Sequence, residues 1–592
     1  MGCPAMTEVG KVRAMRRIAR FIPILGWLPT YRRDDLPGDL MAGIIVAIVL
    51  VPQGMAYAML ANLPPEIGLY ASLVPPVLYG IFGSSRALAV GPVAIMSLMT
   101  ASATAAYAGS AGRLEVALVL ALISGLLLLA MGLLRLDLLV NFLSHPVISG
   151  FTSAAALVIA FSQLRHLLGL EMSGGLSFFE TVWQSVQHLA TANPVTAALG
   201  VGSVAVLLAW RGPVGRLLRA IGVPAGLAGP IAKGGPLVVV AGGTALAAVF
   251  HLDVTAGVAT VGAIPEGLPG LALPSFDPDL WRELAPAAAL IAIVGFLESV
   301  SVARALASKR RQKIDANQEL IALGSANIGA AFTGAYPVAG GFGRSVVNFS
   351  SGAATPLASI ITAVLIGVTL LFLTPLFHAL PRAVLAAIIV VAVAALIDLA
   401  SFRSAWRYDR TDAAAQAVTF VAVLAIGVEL GIVAGIVLSL LLHLWRTSRP
   451  HIAVVGRVGA TEHFRNVRRH TVTTLPQVLA VRVDESLYFA NASYLEGFLL
   501  SAVADDPRVR DVVLICSAVN VIDASALETL ETLSSELRDA GVTLHLAEVK
   551  GPVSDRLAQT GFLEHLAPGR VFLSTHEAMV ALAGGAAAQA PR

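Results

Sequence analysis

Four polar side chains stand inside stretches that are otherwise apolar enough to live in a bilayer: Gln53, Tyr57, Glu298 and Arg344. Arg344 lies in Ala335-Tyr336-Pro337-Val338-Ala339-Gly340-Gly341-Phe342-Gly343-Arg344-Ser345-Val346-Val347-Asn348. Pro337 and the glycines cannot continue a long helix. Non-helical backbone is tolerated at membrane depth only where it is buried in protein or lines a cavity. A helix beginning near Gly341 would point its free N–H groups and its positive dipole end into such a cavity. Arg344 adds a full positive charge in the first turn. Gly341, Phe342, Gly343 and Arg344 are therefore candidate anion ligands.

Glu298 stands in the apolar run from Ile291 to Val302. An ionised carboxylate there is costly, so an intramembrane acid is a functional candidate by default. Its neutral form crosses a dry environment far more cheaply than its ionised form, which makes Glu298 the candidate carrier of a coupling proton. Gln53 and Tyr57 are one helical turn apart and share a face. Pro52 removes a helix hydrogen bond beside them and is expected to kink the segment.

An internal repeat joins these residues. Ala89-Val90-Gly91-Pro92-Val93-Ala94 resembles Ala335 to Ala339, with Pro92 and Pro337 standing 245 residues apart (337 − 92). The same shift places Gln53 on Glu298 and Ala47-Ile48-Val49 on Ala292-Ile293-Val294. Interrupted apolar segments in corresponding positions of two halves are a sequence pointer to a transporter's binding site. Val90 and Gly91 thereby join the candidate ligands.

The elements that must position them are membrane helices. The chain has 592 residues, 56% hydrophobic and 13% charged, against about 25% charged in soluble proteins. Fourteen apolar segments are expected, over 41–60, 67–83, 89–108, 114–134, 145–165, 195–211, 234–252, 284–306, 316–334, 342–353, 356–374, 382–399, 413–429 and 431–446. The third and tenth would be half-helices entered through extended chain. Lys11, Arg13, Arg16, Arg17, Arg20, Arg32 and Arg33 precede the first segment, and no signal-peptide core does. The positive-inside rule puts this end in the cytoplasm. Loops after even-numbered segments carry Arg86, Arg135, Arg211, Arg216, Arg219, Lys233, Lys309, Arg310, Arg311, Lys313, Arg403, Arg407, Arg410, Arg446 and Arg449. Both ends are thus expected inside. Arg113, Arg165 and Arg382 are exceptions to the pattern.

Beyond Pro450 the character changes. Residues 451–475 are basic and turn-rich and read as a linker. Val478–Val483, Val509–Cys516 and Thr543–Ala547 read as strands; Ala492–Ala504, Ala524–Ala540 and Val553–Thr560 read as helices. That alternation indicates a small α/β domain. The expected organisation is an N-terminal segment 1–35, a membrane domain 36–448, a linker 449–475, an α/β domain 476–580 and a frayed tail 581–592. Cys3 and Cys516 do not make a disulfide framework. No nucleotide loop, metal-ligand cluster or nucleophile triad is evident, so no enzyme, cofactor or nucleic-acid partner is expected.

The chain resembles the SulP anion transporters, relatives of prestin and of plant sulfate transporters, over about residues 33 to 575. The resemblance rests on Pro52-Gln53-Gly54-Met55-Ala56-Tyr57-Ala58, Gly68-Leu69-Tyr70, Phe82-Gly83-Ser84-Ser85-Arg86, Glu298-Ser299, and Tyr336-Pro337 through Arg344-Ser345 to Asn348. It implies two inverted repeats of seven helices split into core and gate domains, a C-terminal STAS domain that takes part in dimer contacts, and alternating access. Many relatives carry serine at the positions of Gly341 and Gly343. Sodium-coupled bicarbonate carriers of the family place a threonine one turn after the acid; Val302 stands there in this chain. An acid in Phe296-Leu297-Glu298-Ser299 resembles the proton-coupled plant sulfate carriers. Ser525, in Asp523-Ala524-Ser525-Ala526, matches the phosphorylated position of the STAS domain's soluble relatives and is a regulatory candidate. The resemblance thus implies sulfate transport with proton symport in a homodimeric inner-membrane protein, with bicarbonate or C4-dicarboxylates as alternative substrates.

Overall fold

Proline and glycine set the breaks between membrane helices in the computed structural model. The structure describes residues 21–107, 109–136, 144–172, 177–210, 214, 220 and 234–588. The basic residues Lys11 to Arg20, the loop residues Arg211, Arg216, Arg219 and Lys233, and the tail 589–592 lie outside the described residues. The chain divides into two compact units, Met1–Ser439 and Leu440–Arg592.

Each of the fourteen expected segments overlaps a helix. Among the described residues, 7 helices are long and apolar enough to cross a membrane by length and composition. Ala94–Ala103, Pro194–Ala209 and Gly235–Val249 are shorter apolar helices. The first helix, Leu36–Leu60, continues through Pro52. The second segment is two helices, Pro65–Tyr70 and Val74–Phe82, with Pro75 and Pro76 opening the second. Gly68 explains how the first two segments cross: a Cβ there would stand 1.9 Å from the Gly54 carbonyl oxygen, so the backbones touch.

The third and tenth segments are half-helices, as expected. Strand β1 (Val90–Gly91) leads to Ala94–Ala103, and strand β2 (Ala339–Gly340) leads to Phe342–Ser350. The two strands pair antiparallel, Val90 opposite Gly340 and Gly91 opposite Ala339. Each repeat thus satisfies the other's extended backbone, the condition for extended chain inside a membrane protein. Side chains complete the bonding. Asn327 accepts from the Val338 N–H at 2.9 Å and donates to the Val338 carbonyl at 3.0 Å. Ser299 Oγ accepts the Gly340 N–H at 2.8 Å, and Ser345 Oγ accepts the Ala89 N–H at 3.0 Å. Asn348 Nδ2 donates to the Ala87 carbonyl at 3.0 Å.

Two apolar clusters carry these elements. One joins Tyr79, Leu122, Phe296, Leu320 and Tyr336, from the second, fourth, eighth and ninth segments and the approach to β2. The other joins Leu50, Ile159, Leu207, Val240 and Ile388, from the first, fifth, sixth, seventh and twelfth.

The second unit is an α/β domain. Its six-stranded sheet runs β4-β3-β5-β6-β7-β8, with β3 (Ile452–Arg457), β4 (Phe464–Asn466), β5 (Val478–Val483), β6 (Asp511–Ile515), β7 (Thr543–Ala547) and β8 (Val571–Phe572). Strands β5 to β8 are parallel; β3 is antiparallel to both its neighbours. The stretch expected as a linker therefore belongs to the sheet. Its charges mask the pattern: Ile452 and Val454 pack into one face's cluster, Ala453 and Val455 into the other's. The expected frayed tail is also helical as far as Ala588, within Thr575–Ala588, as suits an alanine-rich run.

Candidate functional site

The two half-helices begin at one cavity of about 530 Å³. Neither has a side-chain cap: the N-cap residues are Val93 and Gly341. An α-helix leaves its first N–H groups without intrahelical partners. Two uncapped N-termini therefore bring backbone donors and positive dipole ends to the cavity.

Arg344 sits between them, 3% exposed. Its Nη1 donates to the Pro92 carbonyl at 2.5 Å, which ties the second half-helix to the first. Its Nε and Nη2 are buried with no hydrogen-bond partner. A buried guanidinium is stable only when its charge and donors are met, and these two donors are unmet at the wall of the cavity. Gly341 makes room for the guanidinium, whereas Gly91 lies at ordinary contact distance. A Cβ on Gly341 would lie 3.0 Å from Nη2 and 3.1 Å from Val93 Cγ1; one on Gly91 would lie 3.5 Å from Nη1 and Nη2.

The remaining candidates divide. Gln53, Tyr57, Glu298, Gly341, Phe342, Gly343 and Arg344 all line the cavity. Val90 and Gly91 do not: they lie in the β1–β2 ladder behind the guanidinium, and Val93, Ala94 and Ile95 take the wall of the first half-helix. Gln53 Nε2 donates to the Tyr57 hydroxyl at 2.9 Å, and Gln53 Oε1 is buried without a partner. Glu298 Oε2 is likewise buried without a partner, and among the described residues no salt bridge joins it to Arg344. The opposite wall is apolar, including Leu207, Trp210, Pro236, Ile388 and Leu396. Those residues carry no chemistry that sequence reading could single out.

Two structural carboxylates escaped the sequence reading. Glu319, 0% exposed, accepts from Tyr79 Oη at 2.7 Å, Ser84 N at 2.8 Å, Ser84 Oγ at 2.7 Å and Ser85 N at 3.1 Å. It thereby fixes the Phe82-Gly83-Ser84-Ser85-Arg86 turn. Asp39 accepts from Ala354 N at 2.7 Å, Thr355 N at 3.0 Å and Thr355 Oγ1 at 2.6 Å, holding the turn after the second half-helix. Both stand near helix starts, where acids read as interfacial. In the second unit, Ser525 is exposed on helix Ala524–Asp539. The cap of that helix is Asp523, whose Oδ1 accepts from the Ala526 N–H at 2.8 Å.

A polytopic helical unit with two broken helices meeting at a cationic cavity, followed by an α/β domain, is the architecture of an anion carrier. The model of the Sulfate permease family matches residues 36–419 and that of the STAS domain residues 470–578. The chain belongs to the sulfate permease family. It is 38% identical over 587 residues to the chloroplastic sulfate transporter 4.1 of Arabidopsis thaliana, covering 97% of this chain and 84% of the relative. It is 34% identical over 571 residues to the probable sulfate transporter MT1781 of Mycobacterium tuberculosis, covering 94% and 98%. The murine Slc26a9 anion transporter in its inward-facing state superposes with a TM-score of 0.88 at 25% identity, covering 96% of this chain and 95% of that one.

Proposed function

We propose that this protein moves sulfate across the membrane together with a proton, by alternating access around the cavity at Arg344. The observation that carries the reading is the pairing, in one cavity, of a buried arginine with two unpartnered donors and a glutamate with an unpartnered oxygen. The arginine and the half-helix N–H groups suit a doubly charged oxyanion. Glu298 would take up a proton, so that the loaded site carries less net charge through the closed intermediate. The names of the relatives, sulfate transporters among them, support sulfate over other anions. The basic loops after even-numbered segments support placing both termini in the cytoplasm; a bacterial inner membrane and a homodimer belong to the same proposal. With that topology, Trp210, Gly235, Pro236 and Leu396 at one end of the cavity support a state open to the cytoplasm.

The test is isothermal titration of the purified protein with sulfate, bicarbonate and succinate. Sulfate binding that is weakened at least about tenfold in Arg344→Ala and less in Arg344→Lys is the expected result. Equal sulfate binding by wild type and Arg344→Ala would overturn the site, and preference for bicarbonate or succinate would replace the substrate.

A further inference from the structure

Two of the three arginine exceptions to the charge pattern, Arg165 and Arg382, find a place in the structure. A second cavity, of about 380 Å³, continues along two of the helices that line the first. The main cavity touches Val49, Gln53 and Tyr57 of the first helix; the second touches Met59, Leu60 and Asn62 just beyond. The main cavity touches Val93 to Ile95 of the first half-helix; the second touches Leu98, Ala101 and Ser102. The two cavities therefore follow one another along these two helices, within about one helical turn.

Arg165 is the cation in the wall of the second cavity. Its Nε donates to His166 Nε2 at 3.1 Å and its Nη2 to Asn62 Oδ1 at 3.4 Å, near the limit for a hydrogen bond. Neither partner is an acid. Arg382 lies close enough for the two guanidinium charges to repel, and its own bond goes to the Thr260 carbonyl at 3.0 Å. Among the described residues no salt bridge includes either arginine. Glu429 bonds to Ser102 without lining the cavity. Two like charges held together without a carboxylate repel one another, and an anion beside them removes that cost. Ser162, Gln163 and Asn62 add neutral polar groups to the wall.

We propose that the cavity at Arg165 is a second anion site, which gathers small oxyanions at the outer end of the path before they reach Arg344. Its outer position and its place in transport rest on the function proposed above. Its selectivity for anions does not, and the test reads that selectivity directly.

The probe is a cysteine at Ser162, which lines the cavity, in a Cys3→Ser background. Cys516 can stay, because burial pushes its thiol up to about 12 and hides it from reagents. The purified protein is treated with an anionic sulfonatoethyl and a cationic trimethylammonioethyl methanethiosulfonate. The ratio of their rates, anionic over cationic, is expected to fall on the order of fivefold in Arg165→Gln at low ionic strength. Arg165→Lys should keep most of the ratio, and sulfate should slow the anionic reagent only where the cation is present. A ratio unchanged by Arg165→Gln, or no protection by sulfate, would overturn the second site. Neither result touches the Arg344 titration, so failure here and failure of the transport reading remain distinct.

Discussion

Glu298 and Glu319 are both glutamates of the helical unit, and their surroundings suit them to opposite tasks. Glu319 meets four donors from Tyr79, Ser84 and Ser85. A carboxyl so fully bonded holds a turn in place. Glu298 faces a cavity with Oε2 unpartnered and an arginine on another wall. A carboxyl with spare lone pairs beside an accessible space can gain and lose a proton without breaking the fold. Glu319 is fully buried and meets four donors, while Glu298 is only partly buried and keeps an oxygen free. Both differences separate a structural acid from one suited to carry charge.

That contrast fails first if the two acids prove interchangeable in stability. Glu319→Ala strands the Tyr79 hydroxyl and the Ser84 and Ser85 N–H groups, and is expected to cost about 3 kcal/mol or more. Thermal unfolding in detergent should show a large drop. Glu298→Gln should stay within about 1 kcal/mol of wild type, since no bond to its Oε2 is lost. Similar losses in both would erase the distinction.

The anion ligands come next. Arg344→Ala is expected to weaken sulfate binding by about 1.5–3 kcal/mol, roughly 10- to 100-fold, with the fold intact by circular dichroism. The two glycines of the half-helix then sharpen the picture on a smaller scale. Gly341→Ala places a Cβ 3.0 Å from Arg344 Nη2, and should weaken binding roughly threefold by displacing the guanidinium. Gly343→Ala meets nothing within 4 Å and should bind sulfate like wild type. Equal titration curves for the two alanine variants would mean that the guanidinium position is not set by Gly341.

How much of this was legible in the sequence depends on whether a residue announces itself locally. Pro92 and Pro337 announce the broken helices together with the glycines beside them; a proline alone does not, since Leu36–Leu60 continues through Pro52. Arg344 and Glu298 stand out as charges in apolar runs. The register of β1 against β2 joins segments about 250 residues apart, and no local pattern states it. Gly91 illustrates the consequence: the repeat marks it as a candidate ligand, yet its place is in the β1–β2 ladder beside Arg344, outside the cavity lining. Glu319 and Asp39 sit in first turns, where acids are ordinary, so only their distant partners reveal their roles. The strand β3 was hidden by the basic residues around it, since its two apolar faces are each only two residues long.

Proton coupling through Glu298 is tested most directly by sulfate uptake into vesicles with an inward proton gradient, no sodium and a clamped membrane potential. Wild type should accumulate sulfate above equilibrium. Glu298→Gln mimics the protonated carboxyl permanently, so it should still bind sulfate and exchange it across the membrane, yet fail to accumulate it when the gradient is imposed. Gradient-driven accumulation by Glu298→Gln at the wild-type level would contradict the role of Glu298, and strict dependence of wild-type uptake on sodium would contradict proton symport itself.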